Sequence, residues 1–398
     1  VARKYIRAMS KTVVHRGPDD SGVWIDEKNG IYLGHQRLSI LDLSAAGHQP
    51  MSSFSGRYHI VYNGEIYNHL ILRKSLLKDG YANEWNGTSD TETLLACFEK
   101  YGIRKTLDKL DGMFAMAVWD QKTQKLFLIR DRFGEKPLYY SKPNFIEGYL
   151  LFGSEVNGIV AHPDFSRRID RAALSQYMQF GYVLAPASMY QGVSKVKAGT
   201  IIEIDAKTLQ YQEEEYWSPL NIAEESRKNV FSGTMTEAAN ALEQLLLKKI
   251  ENQMLSDVPL GVFLSGGIDS SLVTSMMQAI SNKPVKTFTI GFEEHDWDEA
   301  GYAKSISKAL GTEHHESYVT YKDAIDVIPK LSAIYSEPFA DVSQIPTFIV
   351  SQITKKEVTV ALSGDGGDEV FCGYDRYTFT RSLWRFIAPF PIKFRKMI

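Results

Sequence analysis

The sequence predicts two domains of different class: an α+β half in which helices cover two antiparallel sheets, then an α/β half with a doubly wound parallel sheet. Three observations predict this. The 398 residues exceed what one core ordinarily serves. Short alternating strand patterns crowd the first 160 or so residues between helical ones, which suggests stacked sheets covered by helices. From residue 258 onward strand and helix patterns take turns, the sign of a parallel sheet. The expected division is 1–165 for the first domain, 166–229 for a connecting region and 230–398 for the second.

Composition narrows the function classes. Hydrophobic residues make up 44% and charged residues 23%, the balance of an ordinary soluble globular protein. A net charge of −3 offers no field for nucleic acid or a membrane surface, and neither is expected as a partner. Cys97 and Cys372 are too few for a disulfide framework and point to a reducing, cytoplasmic compartment. No apolar run approaches the roughly 18–20 residues of a membrane span. Val1 is not an initiator Met, and residues 1–10 read as helix interior rather than a secretory signal. The basic, apolar stretch 384–398 carries no stop signal and reads as a helix start. The chain therefore reads as cut at both ends.

In the first half, His15-Arg16-Gly17-Pro18-Asp19-Asp20 forms a turn between a helix and a strand over 22–25. Strands follow at 31–33 and 36–41, with Arg37 a cation inside an apolar alternation. Buried there, it needs an anionic partner, either an internal acid or the carboxylate of a ligand. A strand at 59–62 runs into Asn63-Gly64-Glu65. Asn-Gly is the strongest hairpin dipeptide, yet the Asn63 amide beside the unhindered Gly64 N–H also makes an oxyanion hole. Ser89-Asp90-Thr91-Glu92 reads as a capping box opening the helix of Leu94, Leu95 and Phe98, and Asp90 suits a helix N-terminus without any ligand. Strands at 113–119, 125–130, 138–140 and 149–152 complete this half.

A capped helix over 170–180, a strand over 199–205 and a Glu-rich, unpatterned linker over 211–227 follow. A second capping box, Thr234 with Glu237, opens a helix with an apolar stripe at Ala238, Leu242, Leu245, Leu246 and Ile250.

The second half centres on Leu264-Ser265-Gly266-Gly267-Ile268-Asp269-Ser270, behind the apolar run 258–263. Strand, glycine turn and helix start make a phosphate cradle, because free backbone N–H groups attract an anion without a cationic side chain. No Walker Lys follows the glycines. A second apolar run, 358–362, breaks into Ser363-Gly364-Asp365-Gly366-Gly367-Asp368-Glu369. Between the loops, strands are expected at 286–292 and 317–320, and helices at 298–310, 323–335 and 343–354. In doubly wound sheets such loops meet beyond the carboxyl ends of the strands. Mg²⁺ prefers carboxylate oxygens, and Asp269 and Asp368 are the acids best placed to hold it.

Together these motifs resemble the glutamine-hydrolysing asparagine synthetases over nearly the whole chain. The first half resembles a class II glutamine amidotransferase domain with an N-terminal-nucleophile fold, matched at 15–19, 36–40, 62–65 and 89–92. The loop at 265–270 resembles that of the N-type ATP pyrophosphatases. The resemblance implies that Arg37 holds the glutamine carboxylate, Glu65 and Asp90 its amino group, and Asn63 with Gly64 the oxyanion. It implies that Leu264, Ser265, Gly267, Asp269 and Ser270 contact the phosphates of ATP, with Ile290, Ser363 and Gly364 beside the adenosine. Asp365 matches the acid that orients the acyl-adenylate and takes a proton from ammonia; many relatives carry Glu there. Glu337-Pro338-Phe339-Ala340-Asp341 matches a segment near the acceptor site. Cys372 stands where relatives often have Gly and reads as a small buried residue. The family's nucleophile, an N-terminal Cys on a first strand, has no counterpart here, nor has a Lys that lies past the second loop.

The implied activity is ATP- and Mg²⁺-dependent amidation of aspartate by ammonia from glutamine, in a cytoplasmic homodimer. Two alternatives remain open: an amidotransferase acting on another carboxylate, such as a sugar uronate or a peptide acid, and a non-catalytic binding relative.

Overall fold

The computed structural model describes residues 2–81, 84–142, 145–146, 148–292 and 299–395. Val1, position 298 of the expected helix and positions 396–398 of the tail lie outside them. The chain forms two compact units. The first joins Val1–Asn240 with Leu255–Val258 and Ile325–Gln344; the second joins Ala241–Met254, Pro259–Ala324 and Ile345–Ile398.

The strands of the first unit are β1 (Asp20–Asp26), β2 (Ile31–Arg37), β3 (Met51–Ser52), β4 (Tyr58–Ile66), β5 (Gly112–Asp120), β6 (Lys125–Arg130), β7 (Tyr139–Ser141), β8 (Phe152–Gly153), β9 (Val193–Lys195), β10 (Thr200–Asp205) and β11 (Tyr211–Glu215). Six form one antiparallel sheet in the order β11-β10-β6-β5-β4-β3. Its middle is buried on both faces, which the two-residue period of β5 makes visible. Phe114, Met116 and Val118 join Leu72 and Leu76 of α2 (His69–Lys78, the second helix after α1, Ala2–Lys11) and Leu94, Leu95 and Phe98 of α3 (Asp90–Tyr101). Ala115, Ala117 and Trp119 instead pack with Leu33 of β2, with Leu138, and with Tyr140 of β7.

The second layer, expected as one sheet, is divided into the pair β1-β2 and the three-stranded β8-β7-β9. Met9 of α1 and Val156 and Ile159 in the helix Val156–Val160 close it from outside. The order is helix, sheet, sheet, helix, the α+β layering expected of this half.

Two local expectations are corrected. Asn63-Gly64 is no hairpin turn, since β4 runs straight through both residues in register with Ala115 and Phe114 of β5. The stretch 211–227 is not irregular: it contains β11 and the helix Pro219–Lys228. β11 is exposed along its whole length and is held by its backbone pairing with β10, the Lys197–Glu213 and Arg104–Glu214 ion pairs and the Tyr211–Tyr140 ring contact, so no alternating apolar pattern marks it.

In the second unit, β12 (Leu260–Phe263), β13 (Lys286–Phe292), β14 (Glu313–Val319) and β15 (Val360–Leu362) form a parallel sheet in the order β14-β13-β12-β15. Ile250, Val262, Met276, Met277 and Val285 form its core, joining the helices Met235–Gln253 and Ile268–Ile280 to β12. The chain leaves β12 toward β13 on one side and later returns as β15 on the other. β12 is therefore the switch point, where the loops after β12 and β15 open a crevice. Among the described residues no helix is long and apolar enough to cross a membrane.

Candidate functional site

A cavity of about 820 Å³ in the first unit is lined by Arg37, Asn63, Gly64, Glu65 and Asp90. Fold topology gathers them. The N–H groups of Tyr62 and Ile66 bond the Gln49 side chain (2.8 Å) and Asp90 Oδ2 (2.9 Å), not β5. By the period of the strand, the Gly64 N–H lies on that same edge, between them. A side chain at 64 is excluded because its Cβ would overlap the Met113 carbonyl oxygen. Next to it, the amide nitrogen of Asn63 is buried and has no hydrogen-bond partner among the described residues.

Glu65 and Asp90 are both 6% exposed. Burial, and then the neighbouring Asp90 carboxylate, push Glu65 up to about 7. Burial also raises Asp90, against the bonds it accepts from the Ile66 N–H and from the Tyr62 hydroxyl at 2.8 Å. Two buried acids beside an open cavity are chemically suited to a cation. Ser89 caps α3 as expected, accepting from the Glu92 N–H at 3.2 Å, but Glu92 turns away to the N–H groups of Asn86 and Gly87. Asp90 belongs to the cavity rather than to the cap.

Arg37 is 7% exposed. Among the described residues its hydrogen-bond partners are carbonyls of the loop behind it. Nη2 donates to Leu41 (3.1 Å) and Asp42 (2.5 Å), and Nη1 to Ser44 (3.3 Å). These bonds fix the guanidinium at the wall, with Nε–H and one Nη1 proton not engaged by them. The first motif is the frame for it. Gly17 packs on the backbone of Gln36 and Arg37, where a Cβ would overlap Gln36. His15 and Arg16 both bond Glu155 Oε1, at 3.0 and 3.2 Å.

Neither cysteine lines this cavity. Cys97 is fully buried, and its thiol is pushed up to about 12 by burial. Cys372 corrects its expectation: it is exposed, with φ +59°, a left-handed conformation that Gly adopts freely.

In the second unit the two loops meet. Gly266 takes φ +87°, and Gly267 caps the helix Ile268–Ile280. The hydroxyls of Ser265 and Ser270 lie 3.1 Å apart, tying the loop's two ends. Leu264 is pinned to β13 by its N–H bond to the Phe288 carbonyl (2.9 Å) and by the Thr289 hydroxyl on its own carbonyl. Ile290 continues β13 two residues on. A Cβ on Gly364 would stand 2.7 Å from Ser270 N and 3.0 Å from the Asp269 carbonyl carbon, and one on Gly367 2.5 Å from the Asp269 carboxyl carbon. Only glycines let these backbones approach so closely. Asp365 is exposed, and its Oδ2 accepts from the Ser363 hydroxyl at 3.0 Å.

Asp269 and Asp368 suit Mg²⁺ in chemistry. Asp269 lies against Gly367, the residue before Asp368, and neither acid has an ion-pair partner among the described residues. No cluster of three or more ligating side chains occurs among them. Two carboxylates leave the other positions to water and phosphate, the habit of this ion.

Comparison with known proteins accords with this arrangement. A family model for the glutamine amidotransferase domain matches residues 1–217, and one for asparagine synthase matches 241–396. A putative glutamine-hydrolysing asparagine synthetase 2 of Methanocaldococcus jannaschii is 37% identical over 97% of this chain and 77% of its own length. The chain belongs to the glutamine-hydrolysing asparagine synthetase family. Asparagine synthetase 1 of Bacillus subtilis, also 37% identical, is matched over 99% of this chain, which spans 59% of that relative's length. A more distant relative is the amidase chry2 of Gibberella zeae, 29% identical over 92% of this chain and 54% of its own.

Some residues of the cavity escaped sequence reasoning. Gln49, which holds the strand edge, has no motif of its own. Lys136 lines the cavity, its ammonium pushed down by burial. His35, also on the wall, is pushed down to about 4 by burial and by Arg37, and stays neutral.

Proposed function

We propose that the whole protein amidates aspartate at the expense of ATP, with ammonia released from glutamine, and that this chain supplies the binding and activating residues named below. The observation that carries the reading is the meeting of the two glycine loops at the switch point, Gly364 against Asp269 and Ser270. In this reading Leu264, Ser265, Gly267, Asp269 and Ser270 surround the phosphates, with Ile290, Ser363 and Gly364 beside the adenosine. The substrate carboxylate attacks the α-phosphorus and the bond to pyrophosphate breaks. Ammonia then attacks the acyl carbon, AMP leaves, and the proton passes to Asp365. Mg²⁺, held by Asp269 and Asp368, would neutralise the departing pyrophosphate.

In the first unit, Arg37 receives the glutamine carboxylate with its free protons, and Glu65 and Asp90 receive the ammonium. Asn63 Nδ2 and the Gly64 N–H receive the oxyanion as the amide is attacked; preorganised donors of this kind act where charge develops. A cytoplasmic location and a homodimer belong to the same reading.

A second reading, amidation of another carboxylate, is favoured by the amidase among the relatives. One experiment separates the two: pyrophosphate release from ATP and Mg²⁺ with ammonium chloride, comparing aspartate with other acids, on the full-length protein. Aspartate-dependent release with asparagine formed supports the first reading. Release with another acid alone supports the second, and none with any acid overturns both.

A further inference from the structure

The loop between β6 and β7 is held from both sides. Behind it, the Arg130 guanidinium spans three carbonyls, donating to Lys136 (2.8 Å), Val196 (2.7 Å) and Gly134 (2.6 Å). Inside it, the Asp131 carboxylate, 1% exposed, accepts from four backbone N–H groups: Phe133 and Glu135 on Oδ1 at 3.1 and 2.9 Å, Phe114 and Lys136 on Oδ2 at 3.2 and 3.0 Å. Phe114 is the register partner of Gly64. One carboxylate oxygen thus ties the backbone of Lys136 to the β5 residue that faces Gly64.

What this frame presents to the cavity is the Lys136 side chain, which lines the wall together with Asn63, Gly64 and Glu65. Among the described residues no carboxylate lies within ion-pair distance of its ammonium. Asp131 has both oxygens engaged by backbone donors. Arg16 adds a like charge nearby, its own guanidinium already bonded to Glu155 at 3.2 Å. A partly buried cation without a counter-ion is costly to keep. Beside it stand two more donors, the buried and unpartnered Asn63 Nδ2 and the N–H of Gly64 on the strand edge. Three donors on one stretch of wall, one of them charged, suit a carboxylate better than a neutral amide.

We infer that Lys136 is a carboxylate-binding residue of this cavity and that through it the first unit retains L-glutamate, the acid that glutamine hydrolysis leaves behind. The inference rests on the proposed function for its ligand. Glutamine and glutamate share the α-carboxylate, for Arg37, and the ammonium, for Glu65 and Asp90. They differ in the side-chain group alone. Asn63 and Gly64 serve the amide and the carboxylate alike, but only the carboxylate gives the Lys136 ammonium a counter-ion. The cavity is therefore matched more closely to its product than to its substrate, and accumulating glutamate slows further hydrolysis.

The test follows glutamine hydrolysis by the full-length protein as ammonia release, with L-glutamate added as inhibitor, in wild type, Lys136→Met and Lys136→Arg. The quantity read is the inhibition constant for glutamate divided by the KM for glutamine. In Lys136→Met the ratio rises about tenfold or more, the loss expected of one charge-assisted hydrogen bond. In Lys136→Arg, which keeps a carboxylate-binding cation, it stays within about threefold. The γ-methyl ester of glutamate, with the same α-groups and no side-chain charge, inhibits all three proteins to the same degree relative to KM. An unchanged ratio in Lys136→Met overturns the inference and leaves the proposed function standing. So does glutamate that inhibits the wild type no better than the ester, a comparison that holds even where Lys136→Met fails to fold. A wild type that hydrolyses no glutamine overturns the glutaminase reading, and calorimetry of glutamate binding to the same proteins then decides whether Lys136 holds a carboxylate.

Discussion

The two candidate sites are built from opposite materials. The cavity of the first unit is made of buried side chains whose charges are shifted or pinned: Arg37 on three carbonyls, Glu65 and Asp90 side by side, Asn63 with an unused donor. The crevice of the second is made of backbone, with glycines at 266, 267, 364 and 367 allowing two loops to touch. The first arrangement suits a small zwitterion, which must be matched charge by charge. The second suits a polyanion, which asks for many N–H groups and room. Substitution should therefore act through charge in one unit and through space in the other.

The sharpest way to break that contrast is Asp365→Asn, a loss of charge in the glycine-built site. Ammonium-dependent amidation should fall by about 10²–10⁴-fold if the carboxylate takes the proton, while Asp365→Glu stays within about tenfold. Equal activity in all three proteins would remove Asp365 from the chemistry. Next, Asn63→Ala should lower glutamine hydrolysis by the full-length protein about 10²–10³-fold and leave ammonium-dependent synthesis untouched. An equal loss in both assays would make Asn63 merely structural. Gly364→Ala should lower pyrophosphate release about a hundredfold by forcing the loops apart, with glutamine binding measured by calorimetry unaltered.

Glu65 gives a pH test. Glutamine affinity should weaken as pH falls below about 7, by up to about tenfold per unit, because the proton that Glu65 then holds cancels an ammonium partner. The stability effect has the opposite sense. Between the ordinary carboxylate range and about 7 the folded state binds the extra proton, so stability declines as pH rises through that window. Glu65→Gln should accordingly bind glutamine poorly at pH 8 yet melt about 2–8 °C higher there. A lower melting temperature would mean that the acid is held by a cation after all. The smallest effect is expected at Cys372→Gly, a gain of about 0.5–1 kcal/mol in denaturant unfolding from relief of the left-handed backbone.

These differences also explain what could be read in advance. The second unit's strands, its two loops and its switch point were legible because strand, glycine loop and helix are local patterns. In the first unit most strands were legible, though β3, β9 and β11 were not, and the partners were not. Arg37 was read as a cation seeking an anion, but the carbonyls that orient it lie four to seven residues on, in a loop whose path no periodicity reveals. Asn63-Gly64 has the composition of a turn, and only its long pairing with β5 keeps it extended. Asp90 follows a good capping residue, but Tyr62 and Ile66 reclaim it from across the sheet. Cys372 was read from its usual burial, whereas its backbone angle governs its place. Glu337 stood in a recognised segment, but its three donors come from 142 to 198 residues earlier in the chain.

That residues 325–344 fold with the first unit also bears on how the molecule is made. A ribosome delivers the chain in order, and the first unit has most of its sheet by residue 215, but not the strap that covers Tyr139 and Lys195. From residue 240 to 344 about a hundred residues must still emerge, roughly 5–20 s of synthesis at ordinary speed. During that interval the rung of β7 and β9 waits with its lysine unmatched, while the second unit's first strands are already leaving the ribosome. The first unit thus completes its own fold only after residue 344 has emerged, and a gene cut before residue 325 yields a first unit that lacks its clasp.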